Sequence, residues 1–374
     1  MKIAVNTRML LENRMEGIAR FNYEILKRIV KNNPEDQFYF YFDRPYSQKF
    51  IFGDNVTPKV LYPPTRHPIL LTYWLEFKLK KELKKLKPDL LFSGDTYMPL
   101  NSGIPTVIVS HDLAYLHHDN HQRFFDRNYY KFFFKKFHNN AQKIIAVSKF
   151  TKEDIVNNYN IAPSKIEVVY NSANGHFHPV DTKTKNNTKK ELTGGCPYFV
   201  YLGSIHPRKN LVNLIKGFNE FKSKNQNDYK LVIIGRPAWK TKDYFKTLKS
   251  SPFNKDIITK QITRKELPKY IGSAEAMFYV SLFEGFGIPI LEGFEAGIPV
   301  VTSKISSMPE VAQDAALLVD PHSPKSIAEA MQQLLTDKNL HSSLVKKGNK
   351  RLKDFSWDLS AAKTYEILKE ISGN

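Results

Sequence analysis

Residues 284–303 read EGFGIPILEGFEAGIPVVTS. Pro289 suits the first turn of a helix, where its missing N–H would have no partner anyway. Gly297 suits the helix end, and Pro299 prevents continuation. A short helix is therefore expected from about Pro289 to Ala296. The apolar runs Ala276–Val280 before it and Pro299–Thr302 after it read as strands, which makes the whole a strand–loop–helix–strand unit. Glu284 falls in the loop and Glu292 in the first turns of the helix. A continuous helix would set them roughly 12 Å apart along its axis. That argues against the carboxylate pair of a retaining glycosidase, at about 5–5.5 Å. Two separated acceptors suit a polyhydroxyl ligand gripped at two places. Gly285 and Gly287 let the backbone approach such a ligand, and the helix start offers N–H groups to an anion. The competing view is a surface helix whose glutamates favour its positive end.

The same alternation extends in both directions. Met1–Asn6, Phe38–Phe42, Leu90–Phe92, Thr106–Ser110 and Ile144–Val147 read as strands, with a helix over Gly17–Val30. Pro179–Gly195 (PVDTKTKNNTKKELTGG) is polar, lysine-rich and ends in two glycines, so it reads as a linker. Strands resume at Tyr198–Leu202 and Lys230–Ile234. Further helices are expected over Leu211–Lys222 and over Pro324–Leu335, the latter capped by Ser323. The predicted fold class is α/β: two Rossmann-like domains with parallel sheets facing a central cleft, and ligands beyond the carboxyl ends of the strands.

Composition narrows the partners. The chain has 374 residues, and 56 basic against 37 acidic residues leave a net charge of +19, which suits an anionic partner. Cys196 is the single cysteine, so no intrachain disulfide forms. The N-terminal MKIAVNTRMLLENR lacks the apolar core of a signal peptide, and no run reaches the ~18 apolar residues of a membrane span. The spacing of His117, His118 and His121 matches no standard zinc pattern. Neither a GxxxxGK[ST] loop nor a GxGxxG opening a βαβ unit occurs, and there is no Asp-x-Asp.

Two further loops follow strands. GSIHPRKNLVNL places Arg208 and Lys209 just ahead of a helix, with Asn210 as its expected cap. A lysine at about 4 Å contributes up to ~4 kcal/mol to a phosphate before desolvation. His111 and Asp112 follow TVIVS, where a histidine can hydrogen-bond a substrate hydroxyl.

Together these residues resemble the retaining, nucleotide-sugar-dependent glycosyltransferases of family 4, with the two-domain GT-B fold. The resemblance runs through EGIARFNYEIL, VSHDLAYL, IIAVSKFTKEDI, VVYNSANGHF, LGSIHPRKNLVNLIKGF, LVIIGRPAW and SLFEGFGIPILEGFEAGIPVVTSKISSMPEVAQDAALLVDP. The last carries the family's E-x7-E signature as Glu284 and Glu292. The wording PRKN and SSMPEVAQDAALLVDP is similar to bacterial mannosyl- and rhamnosyltransferases of surface polysaccharides.

The resemblance implies roles. Glu284 contacts the donor sugar and Glu292 the ribose hydroxyls, with the loop amides around Gly285, Phe286 and Gly287 reaching sugar and phosphate. Arg208 and Lys209 neutralise the diphosphate, His111 lies near the transferred sugar, and Gly17 lies near phosphate and acceptor. Ile262 follows a strand where family members hold the base. Ser204 stands where some relatives carry arginine, and Asn-Ser replaces Asn-Gly in VVYNSANGHF. His111 and Glu284 are the expected catalytic groups, and no metal cofactor is expected. GDP-mannose is the first expected donor, with a glycan or lipid-linked glycan as acceptor. FSWDLSAAKTYEILKEI resembles the family's final helix. The expected domains are therefore residues 1–178 with 356–374 for the acceptor, a linker over 179–195, and 196–355 for the donor.

RFFDRNYYKFFFKKFH suggests a contact with an anionic membrane. At helical spacing Arg123, Arg127, Lys131 and Lys135 share one face, with Phe124, Tyr130 and Phe134 among them. Phe125, Tyr129, Phe132, Phe133 and Phe137 form the expected core face. KLKKELKKLK (Lys78–Lys87) is a second basic helix candidate. A cytoplasmic location is expected, peripheral on the inner face of the cytoplasmic membrane. The competing functions are an epimerase or phosphorylase on the same fold, or a basic nucleic-acid-binding protein, for which no helix-turn-helix, zinc or RNA-binding signature is visible.

Overall fold

In the computed structural model, residues 1–12, 15, 17–118, 124–224 and 227–373 are described, with the backbone alone for 124–126. The chain divides into two compact units, residues 1–171 with 356–374, and residues 172–355.

The first unit is built on a seven-stranded parallel sheet. Its strands are β1 (Lys2–Asn6), β2 (Gln37–Phe42), β3 (Val56–Val60), β4 (Leu90–Ser93), β5 (Thr106–Ser110), β6 (Lys143–Ala146) and β7 (Ile166–Val168), in the order β3-β2-β1-β4-β5-β6-β7. The second unit holds β8 (Tyr198–Leu202), β9 (Lys230–Ile234), β10 (Ile257–Lys260), β11 (Ala276–Tyr279), β12 (Val300–Ser303) and β13 (Leu317–Val319), in the order β10-β9-β8-β11-β12-β13. Both orders reverse direction once, between β1 and β4 and between β8 and β11. Such a switch point leaves a crevice at the carboxyl ends of the strands.

The hydrophobic pattern locates every interior strand and none of the edges. β3, β7, β10 and β13 are the four edge strands. Each is partly exposed, with only Ile257 buried in β10; polar residues or a proline interrupt β3, β7 and β10, and β13 is a run of only three residues, Leu317–Val319. The interior strands LLFS and TVIVS are buried at every position.

The expected linker is largely a helix. Thr182–Thr193 is helical, Asp181 caps it by accepting from the Thr184 amide at 2.8 Å, and Gly194 ends it in the left-handed region. Glu191 accepts from the Tyr270 hydroxyl at 2.5 Å, tying the helix to the second unit. The division between units falls instead at Asn171 and Ser172. A lysine-rich segment with few apolar residues reads as linker by composition. Its fold rests on a cap, a C-terminal glycine and a thin seam of Thr188 and Leu192.

The last helix, Trp357–Ser372, belongs to the first unit. Arg28 pairs with Asp358 at 2.5 Å, and the Tyr365 hydroxyl donates to Asp36 at 2.8 Å.

The Phe124–Asn140 helix sits differently from its sequence periodicity. Phe134 is buried and Tyr130 half-buried, whereas Phe132, expected in the core, is exposed. Tyr97 and Tyr115 flank the helix and meet Phe134 edge-on, at 5.5 and 5.3 Å between ring centroids. Aromatics on two sides widen the buried arc and take in rings that spacing assigns to the basic face. Arg127 is half-buried, and Lys131 and Lys135 are exposed. Arg123 and the side chain of Phe124 lie outside the described residues.

Candidate active site

The second switch point carries a buried charge cluster. Gly203–Ser204 follow β8, and a short turn over Pro207–Lys209 delivers the two cations; His206 caps it by accepting from the Arg208 amide at 3.2 Å. β11 ends at Tyr279, and the loop after it delivers Glu284. The Lys209 ammonium donates to Glu284 Oε1 at 2.7 Å and to the Tyr279 hydroxyl at 2.6 Å. The Arg208 guanidinium donates to Glu284 Oε2 at 2.8 Å and to the Phe283 carbonyl at 2.5 Å. Tyr201 stacks on Tyr279 beneath them, with ring centroids 6.3 Å apart.

Glu284 is 6% exposed. Burial pushes its carboxyl up, but Arg208 and Lys209 outweigh burial and hold it at about 2. It is therefore ionised at any working pH. Two cations converge on this one carboxylate, a setting that suits an anionic ligand.

The loop is held by serines. Ser307 Oγ donates to the Glu284 and Phe286 carbonyls, at 2.9 Å each, and the Glu284 amide donates to Ser306 Oγ at 3.2 Å. Gly287 lies at φ 101°, a conformation costly for any side chain, and leads into the Ile288–Glu295 helix with Pro289 in its first turn. Glu292 is half-buried in the second turn. The Phe286 ring is buried against Phe355, 5.7 Å between centroids, so this residue faces the loop only through its backbone. Gly285 is buried beside it, Ser204 is half-buried after β8, and Ile262 is half-buried just beyond β10. Asn210 does more than open a helix. Its amide nitrogen donates to the Val280 and Pro321 carbonyls at 2.9 and 2.7 Å, tying the loops after β8, β11 and β13 together.

The first switch point is neutral where it meets the expected histidine. His111, after β5, places Nε2 3.0 Å from the Gly94 carbonyl. A carbonyl only accepts, so Nε2 carries the hydrogen and Nδ1 is left as an acceptor. Burial lowers the pKa of His111 despite the opposing pull of Gly94 and nearby carboxylates, so the ring is neutral. Asn22 Nδ2 donates to the same Gly94 carbonyl at 2.9 Å. A Cβ at Gly94 would lie 1.7 Å from Asn22 Oδ1, so any larger residue has to displace the Asn22 side chain. Next in the chain, Asp95 pairs with Arg8 at 2.7 Å and accepts from Ser93 and the Tyr97 amide, each at 3.0 Å. Gly17 is exposed and leads into the Ile18–Asn32 helix. Among the described residues, no three or more His, Cys, Asp or Glu side chains are grouped to hold a metal ion. His117 is paired with Asp154 at 2.7 Å.

Sequence reasoning singled out His111, Arg208, Lys209 and Glu284. It missed Tyr279, Asn22, Gly94, Asp95 and Arg8. Gly94 and Asp95 directly follow LLFS and were open to the rule that sites lie after strands. Asn22 is a polar residue on the buried face of an amphipathic helix, also a legible signal.

Comparison with known proteins accords with this geometry. The family described as glycosyl transferases group 1 matches residues 182–351, and glycosyltransferase family 4 matches residues 15–174. The chain is 22% identical over 371 residues to the O-antigen chain mannosyltransferase B of Escherichia coli, spanning 95% of this chain and 96% of that one. It is 30% identical over 269 residues to the O-antigen chain mannosyltransferase RfbU of Salmonella typhimurium, spanning 70% and 69%. Its fold matches the crystal structure of Anabaena HepE in complex with UDP-glucose, with a TM-score of 0.76 at 14% identity over 99% and 100% of the two chains. The two parallel-sheet units have the architecture of the GT-B glycosyltransferases, and the chain belongs to glycosyltransferase family 4.

Proposed function

We propose that this glycosyltransferase moves a hexose, mannose from GDP-mannose first, from a nucleoside diphosphate sugar to a glycan or lipid-linked glycan of a cell-surface polysaccharide, with retention of the anomeric configuration. The observation that carries the reading is the buried Glu284–Arg208–Lys209 cluster at the switch point of the second sheet. The names of the O-antigen mannosyltransferases support mannose as the first sugar to test.

In this reading the bond from the anomeric carbon to the diphosphate oxygen breaks, and its electron pair goes to the departing phosphate. Arg208 and Lys209 meet the charge that develops there, held in place beforehand by Glu284 and Tyr279. The acceptor hydroxyl attacks the anomeric carbon from the same face and gives its proton to the leaving phosphate oxygen. The two cations supply the charge that a metal ion would supply, so no metal is invoked, and turnover should persist in EDTA. Glu284 positions the sugar, and Glu292 in the helix binds the ribose hydroxyls. The amides of Gly285, Phe286 and Gly287 reach sugar and phosphate, with Ser204 and Ile262 contacting phosphate and base. His111 offers a neutral hydrogen-bonding ring to a hydroxyl of the transferred sugar, and Gly17 gives room to phosphate and acceptor. Among the described residues no helix is long and apolar enough to cross a membrane. In this reading the enzyme works at the inner face of the cytoplasmic membrane.

A thermal-shift panel tests the donor: GDP-mannose, UDP-glucose, UDP-N-acetylglucosamine, UDP-galactose and dTDP-rhamnose, with the free diphosphates beside them. Saturation at about 100 times the dissociation constant adds roughly 2.7 kcal/mol of stability. GDP-mannose and GDP should both shift the wild type, and Lys209→Ala should weaken both shifts. Equal shifts in Lys209→Ala would sink the diphosphate assignment, and a shift with a UDP sugar alone would replace the donor.

A further inference from the structure

From residue 68 to 86 the chain runs as one helical rod in three pieces, Pro68–Tyr73, a π turn over Trp74–Leu79, and Lys80–Leu86. Its inner face is Leu71, Trp74, Leu75, Leu79 and Leu83, all buried in the core of the first unit. The Trp74 indole donates to the Leu61 carbonyl at 2.6 Å and fixes the rotation of the rod.

The outer face is apolar as well. Ile69 is 71% exposed, Tyr73 41% and Phe77 64%, with Leu70 beside them at 39%. They recur every four residues, and the Tyr73 and Phe77 rings stack at 5.4 Å. The Lys80 amide reaches back to the Leu75 carbonyl, the wider π spacing. That wider turn keeps Phe77 in line with Tyr73 instead of letting it drift around the rod. Large apolar side chains in a solvent-facing row mark a surface with a partner.

The charges around the row identify the partner. Residues 66–87 hold seven basic residues and two acids, Glu76 and Glu82. Both acids are engaged within the unit. Glu76 accepts from the Leu100 amide at 2.6 Å and from Lys80 at 3.3 Å, and Glu82 accepts from Lys59 at 2.6 Å. Lys81, Lys84, Lys85 and Lys87 stand exposed. The Phe124–Asn140 helix shares the same core through Tyr129, Phe134 and Phe137. It adds exposed Phe132, with the Lys136 ammonium 3.4 Å from its ring centroid, and exposed Lys131 and Lys135. A second copy of the chain would bring two lysine rims together on molecules already at +19. An anionic bilayer surface accepts both parts, the apolar row among its headgroups and the lysine rim against its phosphates.

We propose that the Ile69–Tyr73–Phe77 row with its lysine rim is the surface by which the first unit docks on an anionic membrane. The basic face of the Phe124–Asn140 helix, the expected contact, then becomes the flank. The inference deepens the membrane part of the proposed function and does not depend on glycosyl transfer.

Co-sedimentation of the full chain with vesicles tests it. Wild type should pellet with phosphatidylcholine–phosphatidylglycerol vesicles and far less with phosphatidylcholine alone. The double variant Ile69→Ser/Phe77→Ser should lower the partition coefficient at least tenfold while keeping the wild-type melting temperature and donor-induced shift. Lys81→Gln/Lys84→Gln/Lys85→Gln should erase the preference for anionic vesicles, at about fivefold per lysine. Wild-type partition in the double variant would overturn the proposal, as would equal binding of wild type to both vesicle types. So would a wild-type dimer in sedimentation velocity that the double variant dissolves, which would give the row to a second copy. Loss of the donor shift with binding retained would break the proposed function and leave this inference standing.

Discussion

Both switch points hold a buried ion pair, but the groups expected to meet the ligand differ in charge. In the second unit a buried carboxylate is held at about 2 by two cations that it positions in return. In the first, a buried histidine is kept neutral and oriented by a backbone carbonyl that it shares with an amide side chain. A departing diphosphate carries charge, and fixed charges serve it best in a desolvated site. Sugar hydroxyls carry none, and a neutral ring of known tautomer can bond them without a desolvated charge. Under the proposed function, the ligand's charge, more than the fold, sets which residues stand at the strand ends.

That contrast can be broken experimentally, most sharply on its charged side. Lys209→Ala should lower turnover by about 10²–10³-fold, the usual loss of one preorganised donor to a developing anion. Turnover within a few-fold of wild type would mean the cluster is structural. Gly94→Ala strikes the neutral side through packing. The Cβ meets Asn22, and overpacking of this kind costs about 1–3 kcal/mol, read by urea unfolding on the fluorescence of Trp74 and Trp357, both buried in the first unit.

Acid should distinguish the units. His138 donates from Nδ1 to the Phe134 carbonyl at 2.7 Å and accepts at Nε2 from the Ser110 hydroxyl at 3.0 Å, and burial lowers its pKa to about 4. Unfolded, it titrates near 6.5, so the unfolded chain binds the extra proton between the two values. The neutral histidine therefore contributes its full stability above about pH 6.5, on the order of 3 kcal/mol, and loses it as pH falls toward 4. The lowered pKa of His111 acts with the same sign. Glu284 behaves as a depressed carboxylate, with its contribution present above 4.5 and lost only as pH falls toward 2. The first unit should thus soften first, and His138→Gln should flatten its pH dependence above 4. A second unit that melts earlier would reverse the assignment. The smallest effect is expected from Asn22→Leu. It removes the second donor on the Gly94 carbonyl and leaves the His111 Nε2–H bond in place, so the ring's ¹⁵N shifts should keep the Nε2–H pattern and turnover should stay within a few-fold of wild type. A change to the Nδ1–H pattern would show that Asn22 takes part in setting the proton.

Much of this was legible before the fold. The nine interior strands announce themselves because a strand covered on both faces must be apolar throughout. The edges β3, β7, β10 and β13 need no such run. Thr182–Thr193 hides as a helix because its stability comes from a cap and a few contacts. Arg208, Lys209, Glu284 and His111 stand out as polar residues just after strands. The pairing of Glu284 with both cations does not, since 75 residues separate Lys209 from Glu284 and only the adjacency of β8 and β11 closes that distance. The Phe124–Asn140 helix teaches the same point, because spacing orders residues around a helix but does not say how many neighbours it has.

The sequence by itself determined the α/β alternation, the family and the residues with chemistry to offer, because periodicity, glycine and proline placement and side-chain type are local properties. Tertiary structure decided which charges neutralise one another, which ring of an aromatic helix meets water, and which nitrogen of His111 carries the proton. Each of these depends on what lies across a sheet or against a helix, and strand order puts those neighbours there from far along the chain.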